Sequence, residues 1–488
     1  VGQCLFRQEG QGNLSALPKG FGWPQISRSP HRSGQGVLLI GQSLLSSPLL
    51  NSTMFTIVAR ARKDAKALQY INERNYGGFL EVKSLGGGRS FEEIEDGLNE
   101  VLGEPYIPIF LFGEKEKALM EDILEVVKES EKPFYARLLR TKKVRNMRVD
   151  ELYANLEEIK ARFRLGIEWK NAYSLNPENP FGVEVHPDYD IYLAVGDGFR
   201  KAMKSLLDVD LGENSLVLRK LMNQEVYFSG PNKVAEVSKK LGFPTEVLWR
   251  CPCTEDVSLE DLMAANRDYI EAFANASKEF LRRFKGYDIV VPWSGGKDST
   301  AALILAKEAF GEVNAVYVRM EYEMPETEEY IEKLAGKLGV NLIRVDVPMP
   351  IEKFGMPTHR NRWCTKMKVE ALYNAVSEFE NPLLVVGDRD GESARRRLKP
   401  PVVERKTDFG QILEVMPIKF WSGMMVQLFI LMRGFDLHPL YYEGFYRLGC
   451  TVCPSLAEWE VELLKRKGVK DLPLTHASSG AGEVRGRE

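Results

Sequence analysis

The sequence predicts an α/β protein whose C-terminal part is a mostly parallel sheet with helices on both faces, preceded by a smaller α/β unit and a smaller α+β unit. Three observations carry this expectation. Apolar runs of strand length alternate with amphipathic helical stretches along much of the chain, the rhythm of βαβ units. One strand-to-helix junction, Ser294-Gly295-Gly296-Lys297-Asp298-Ser299, is a glycine turn. The chain has 488 residues, 44% hydrophobic and 28% charged, which is ordinary globular material for about two to four domains.

The elements follow in order. Residues 1–53 are rich in Gly, Ser and Pro, hold Glu9 as their only acidic residue and show no sustained period. They are expected to be a disordered or non-native extension ahead of Met54. Strand patterns at 54–59, 78–82 and 107–112 alternate with helix patterns at 63–75, 91–102 and 115–129, and 151–164 is a further helix. This predicts a small α/β domain over 54–164. Residues 165–250 carry shorter pieces: strands at 191–195 and 225–228, a Gly230-Pro231 turn and a short helix at 233–241. A compact α+β module, possible in an RNA-binding role, is the expectation there. A long amphipathic helix at 259–284 leads into the strand before the glycine turn. Strands at 313–318, 341–347 and 382–386 then alternate with helices at 327–338 and 366–378. The third domain is placed at 251–470 and a flexible tail at 471–488.

A net charge of −3 gives no global attraction to nucleic acid or anionic membrane. No apolar run is long enough to span a bilayer, so no membrane partner is expected. Six cysteines in this length do not make a disulfide framework. Cys251-Pro252-Cys253 and Cys450-Thr451-Val452-Cys453 are metal-like spacings instead, and a reducing cytoplasmic location is expected.

The glycine turn is the strongest chemical signal. Free N–H groups of a first helical turn and the helix dipole both favour an anion at that place. Gly295 and Gly296 let backbone approach a phosphate, while Ser294, Lys297 and Ser299 supply donors. Asp298 either holds a metal or orients Lys297. The Walker spacing is absent. The stretch resembles the SGGxDS loop of the PP-loop adenine-nucleotide alpha hydrolase superfamily, whose domain is Rossmann-like.

Further motifs resemble the phosphoadenylyl-sulfate (PAPS) reductase family within it. Glu323-Met324-Pro325-Glu326-Thr327 is similar to its Phe-Pro-Glu-Thr segment, and Arg362-Trp363-Cys364-Thr365-Lys366 with Lys368 to its RWCTxxxK element. Gly387-Asp388-Arg389-Asp390-Gly391-Glu392-Ser393 with Arg395, Arg396 and Arg397 is similar to GxRxxESxxR. Pro417-Ile418, Trp421, Pro439-Leu440-Tyr441, Gly449-Cys450 and Cys453-Pro454 complete the series.

The resemblance implies ATP or PAPS with Mg²⁺ as ligand, bound by residues 294–299 together with Arg389 and Arg396. It gives Lys297, Asp298 and Arg389 catalytic parts. Guanidinium forks suit phosphate or sulfate, and Arg389 is the preferred contact. Two arrangements of the cysteines stay open. Four of Cys251, Cys253, Cys364, Cys450 and Cys453 close a structural zinc site, or Cys364, Cys450 and Cys453 hold a [4Fe–4S] cluster.

Family reductases use a cysteine in a C-terminal tail, whereas the last cysteine here is Cys453. The leading expectation is therefore an adenylation-linked sulfurtransferase working with a sulfur donor. PAPS or adenylyl-sulfate reduction with a thioredoxin-like reductant is the alternative, and a non-catalytic nucleotide- or RNA-binding module a further one. Arg137, Arg140, Lys142, Lys143, Arg145 and Arg148 form a cationic run that would suit tRNA.

Overall fold

Three larger sheets, with a two-stranded one between the first and second, are laid down in chain order among the described residues. The computed structural model describes residues 54–130, 132–239, 244–407 and 410–470. The expected extension at 1–53 and the tail at 471–488 lie outside the described residues.

The first sheet is wholly parallel. Its strands β1 (Phe55–Ala59), β2 (Glu81–Ser84), β3 (Ile107–Gly113) and β4 (Tyr135–Leu139) stand in the order β2-β1-β3-β4. Helices α1 (Arg62–Tyr76), α2 (Glu95–Gly103) and α3 (Lys117–Glu129) join them, and α4 (Val149–Leu165) follows. The strand β3 is an unbroken apolar run because both its faces are covered: Ile109 and Leu111 face one core, Phe110 and Phe112 another.

A two-stranded hairpin, β5 (Ile167–Trp169) and β6 (Tyr173–Leu175), leads to the second sheet. There β7 (Asp190–Ala194), β8 (Ser215–Arg219), β9 (Gln224–Ser229), β10 (Asn232–Ser238) and β11 (Glu246–Arg250) run as an antiparallel meander, with α5 (Asp197–Leu207) between the first two strands. The helix expected from 233 onward is corrected to strand β10. Its register shifts twice, between Lys233 and Ala235 and between Glu236 and Val237. Those irregularities bury Val234, Ala235, Val237 and Ser238, a spacing that imitates a helical face in the sequence.

The long helix α6 (Leu259–Arg282) is capped by Ser258, whose hydroxyl accepts the Asp261 N–H at 3.2 Å. It delivers the chain to the third sheet: β12 (Asp288–Pro292), β13 (Asn314–Met320), β14 (Asn341–Val347), β15 (Pro382–Val385), β16 (Val402–Thr407) and β17 (Gly410–Val415). The order is β14-β13-β12-β15-β17-β16, parallel except for the antiparallel β16–β17 pair at one edge. Helices α7 (Lys297–Phe310), α8 (Pro325–Leu338), the single turn α9 (Ile351–Phe354), α10 (Trp363–Val376), the single turn α11 (Ala394–Arg397), α12 (Gly423–Met432), the single turn α13 (Pro439–Tyr442) and α14 (Glu458–Arg466) complete the chain.

Alternation along the strands sends Ile289, Val291, Ala315 and Tyr317 to one core and Val290, Val316 and Val318 to the opposite one. Helices therefore cover both faces, and the fold is the doubly wound α/β arrangement expected. The helix α12 is buried from Gly423 to Ile430 and completes a seam with the second sheet. Its Gln427 side chain donates to Leu193 O at 2.9 Å and accepts from Leu193 N–H at 2.8 Å. The edge of β7 is thereby closed.

Candidate functional site

Strand β12 is where the third sheet changes direction. The chain goes outward from it to β13 and β14, then returns to β15 on its other side. Ligands of open parallel sheets bind in the crevice at the carboxyl ends of the two strands that flank such a switch. The Ser294–Ser299 stretch follows β12 and the Gly387–Arg389 stretch follows β15, so both motifs meet at this crevice.

Local geometry explains the loop. Gly295 has φ +73°, a conformation side chains rarely adopt, and it turns the chain from β12 into α7. Ser299 Oγ donates to Gly296 O at 3.0 Å and accepts from the Ser294 N–H at 3.3 Å, tying the loop to the first helical turn. The Lys297 N–H donates to the Tyr441 hydroxyl at 3.0 Å. Gly387 passes so close to this turn that a Cβ there would lie 2.7 Å from Asp298 C and O.

A row of alternating charges crosses the crevice. Lys297 Nζ is 2.8 Å from Asp298 Oδ2, and Arg389 Nε is 2.6 Å from Asp298 Oδ1. Arg389 Nη1 reaches Asp190 Oδ2 at 2.8 Å and Trp421 O at 3.2 Å. Asp190 Oδ1 in turn accepts the Gly423 N–H at 3.0 Å. Burial alone would raise the Asp298 carboxyl, but Arg389 and Lys297 outweigh it and hold the group well below the usual carboxylate range. Burial disfavours the Arg389 cation, yet Asp190 and Asp298 keep it firmly charged.

Arg389 thus sits 2% exposed between two carboxylates, as a clamp on Asp298. Arg396 lies further out, 3.2 Å from Asp388 and paired with Glu392. Each oxygen of Asp298 has one cationic partner, Lys297 on Oδ2 and Arg389 on Oδ1.

The cysteines divide into two groups. Cys364 and Cys450 pack in one apolar cluster against β13 and β14, and the Thr451 N–H donates to Tyr322 O at 2.9 Å. Burial, then Glu323, pushes the Cys450 thiol up to about 12, with Lys368 opposing and Cys453 and Cys364 adding to the rise. Cys251 and Cys253 follow β11, with their Sγ atoms 3.1 Å apart. Among the described residues, no group of three or more His, Cys, Asp or Glu side chains is disposed to hold a metal ion.

Residues that sequence reasoning missed stand close to the loop. Asp190 belongs to β7 of the second sheet, outside every motif, and no local signal marks it. His438 lies behind the loop and is fully buried. Its Nδ1 accepts the Leu440 N–H at 3.2 Å, which leaves the hydrogen on Nε2, 3.2 Å from Thr327 Oγ1. A Cβ on Gly295 would lie 3.6 Å from its ring.

Burial, only partly offset by Glu326, holds the His438 pKa down to about 4. The unfolded chain therefore takes up a proton between its ordinary pKa of 6.5 and about 4 that the folded protein refuses. Stability is expected to fall by up to about 3 kcal/mol as pH drops through that window and to be fully present above it. Urea unfolding at several pH values, compared with His438→Gln, checks this; an equal slope in both proteins would remove His438 as its source.

The cationic run of the first unit is partly consumed internally. Arg137 grips Glu158 at 2.8 and 3.0 Å, and Arg145 holds Asp64 at 3.1 Å. Among the described residues no helix is long and apolar enough to cross a membrane.

A doubly wound α/β domain with a glycine loop opening a helix at its switch point is the class that fold and site define. Residues 288–456 match the family model of the phosphoadenosine phosphosulfate reductase domain, and the C-terminal region is a domain of that family. An uncharacterized protein of Methanocaldococcus jannaschii is 29% identical over 208 residues, covering 40% of this chain and 50% of its own length. A second from the same organism is 31% identical over 186 residues, covering 37% and 38%. The chain thus spans half or less of these two relatives. The phosphoadenosine 5'-phosphosulfate reductase of Shewanella oneidensis is 24% identical over 167 residues, covering 32% of this chain and 66% of its own. Among solved structures, a phosphoadenylyl-sulfate reductase from Candida auris in a phosphate complex aligns with TM-score 0.30 at 16% identity, over 38% of this chain and 95% of that one.

Proposed function

We propose that residues 294–299 bind the phosphates of an adenine nucleotide, and that the protein is an enzyme of sulfur metabolism acting by adenylation-linked sulfur transfer. One observation carries the reading: the glycine loop on the α7 N-terminus and the Lys297–Asp298–Arg389 row share the switch-point crevice. In this reading the loop amides and Lys297 hold the phosphates while an acceptor oxygen attacks the α-phosphorus and pyrophosphate leaves. A sulfide-level donor then displaces AMP from the activated acceptor. Magnesium would arrive on the ATP phosphates.

Sulfonucleotide reduction is the second reading, favoured by the reductase among the relatives. It needs a thiolate to attack the sulfonate sulfur, and the Cys450 thiol, pushed up to about 12, is a poor candidate. Turnover separates the readings. AMP and pyrophosphate from ATP mark the transferase, sulfite from PAPS marks the reductase, and neither product marks a binder.

Lys297→Ala is expected to weaken ATP binding by about tenfold or more, since it removes a charge-assisted phosphate contact, while the thermal midpoint changes little. Calorimetric titration gives the Kd. An unchanged value would remove the loop as the nucleotide site.

A further inference from the structure

Asp190 lies outside the family-matched segment, on a strand of another sheet, yet it completes the charge row at the loop. It is 3% exposed, and each of its oxygens has a fixed partner: Arg389 Nη1 on one, the Gly423 N–H on the other. Its carboxyl is held below the usual range, because Arg389 and Arg219 outweigh the effect of burial. Arg219, on the neighbouring strand β8, sits 3.9 Å away and donates to Gly391 O at 2.6 Å, so the carboxylate has a second cation behind it.

The consequence lies in how Arg389 grips Asp298. A guanidinium facing a lone carboxylate prefers a two-pronged hold on both oxygens. Here Nη1 is anchored by Asp190 and Trp421 O, which fixes the orientation of the guanidinium plane, and Asp298 receives a hydrogen bond from Nε. The second Asp298 oxygen is thereby left for Lys297 Nζ at 2.8 Å. We propose that Asp190 is a positioning residue for the nucleotide loop: by dividing Arg389 between two carboxylates it reserves one oxygen of Asp298 to orient Lys297. The second sheet is then a working part of the site. This rests on the reading of the loop as a nucleotide site.

The test is a double-mutant cycle on the full chain, with ATP and PAPS as probes in calorimetric titrations. Asp190→Asn keeps the side chain's size and an acceptor for the Gly423 N–H, but it releases Arg389 to close on Asp298 and displace Lys297. It is expected to weaken Kd about fivefold to tenfold in the wild-type background and less than about twofold in Lys297→Ala, a coupling of the size seen between directly interacting groups. Asp190→Asn with Kd unchanged or tighter, or weakened equally in both backgrounds, overturns the proposal. Should Asp190→Asn fail to fold, Asp190→Asn/Arg389→Gln removes both buried charges together, which usually preserves folding. In that pair no guanidinium is left to close on Asp298, so the dependence of Kd on Lys297 is expected to be retained, and its loss overturns the proposal. If Lys297→Ala itself leaves Kd unchanged, the nucleotide reading fails; if Lys297→Ala weakens Kd and Asp190→Asn does not, only this inference fails.

Discussion

Arg389→Met is expected to destabilise the protein by about 3–5 kcal/mol, because it strands the buried Asp190 carboxylate and the partly buried Asp298 carboxylate. Asp190 keeps the Gly423 N–H and, as its nearest cation, Arg219 at 3.9 Å, and Asp298 keeps Lys297. At 2% exposure the guanidinium has no water to replace it, so little of the effect is lost to screening. Urea unfolding at pH 7 measures it as a lower midpoint with unchanged slope. A loss below about 1 kcal/mol would mean that the two carboxylates relax toward solvent or take up protons cheaply, and that the clamp is not needed for folding.

Gly387→Ala should damage both fold and site by a different route. The new Cβ would lie 2.7 Å from Asp298 C and O and 2.8 Å from Ser299 N, all backbone atoms in the first turn of α7. Backbone cannot swing aside as a flexible side chain does. Overpacking of this kind costs about 1–3 kcal/mol, and relief comes by pushing the helix start away from β15. A lower melting temperature together with weaker ATP binding is the expected pair of results. Normal affinity in a folded protein would show that the loop tolerates a shift of α7.

Much of the third sheet was legible because its central strands β12, β13 and β15 are apolar runs and helices such as α8 are amphipathic. Ser294–Ser299 was legible because its chemistry is contiguous in sequence. Other parts resisted for physical reasons. The helix α12 is apolar all round, so it carries no helical period to read. Strand β10 imitates a helix through its register shifts. Arg389 was legible as a site residue, but a sequence cannot say whether a guanidinium faces ligand or carboxylate; that depends on Asp190, 199 positions away. The cysteine spacings suggested a metal, while folding leaves the Cys251–Cys253 pair after β11 and Cys364 with Cys450 against β13 and β14.

Phe55 of β1 touches Phe163 of α4, Phe420 and Phe273 of α6, with ring centroids 5.1, 5.2 and 6.0 Å away. Residues of all three sheets, Ile57, Ile191 and Val291 among them, join the same apolar cluster. Separate domains would meet across a wet, polar seam and could hinge. Here the joint is as dry as an interior. Rocking one sheet against another would open a cavity in this shared packing, so the cheaper motions are those of loops and surface side chains.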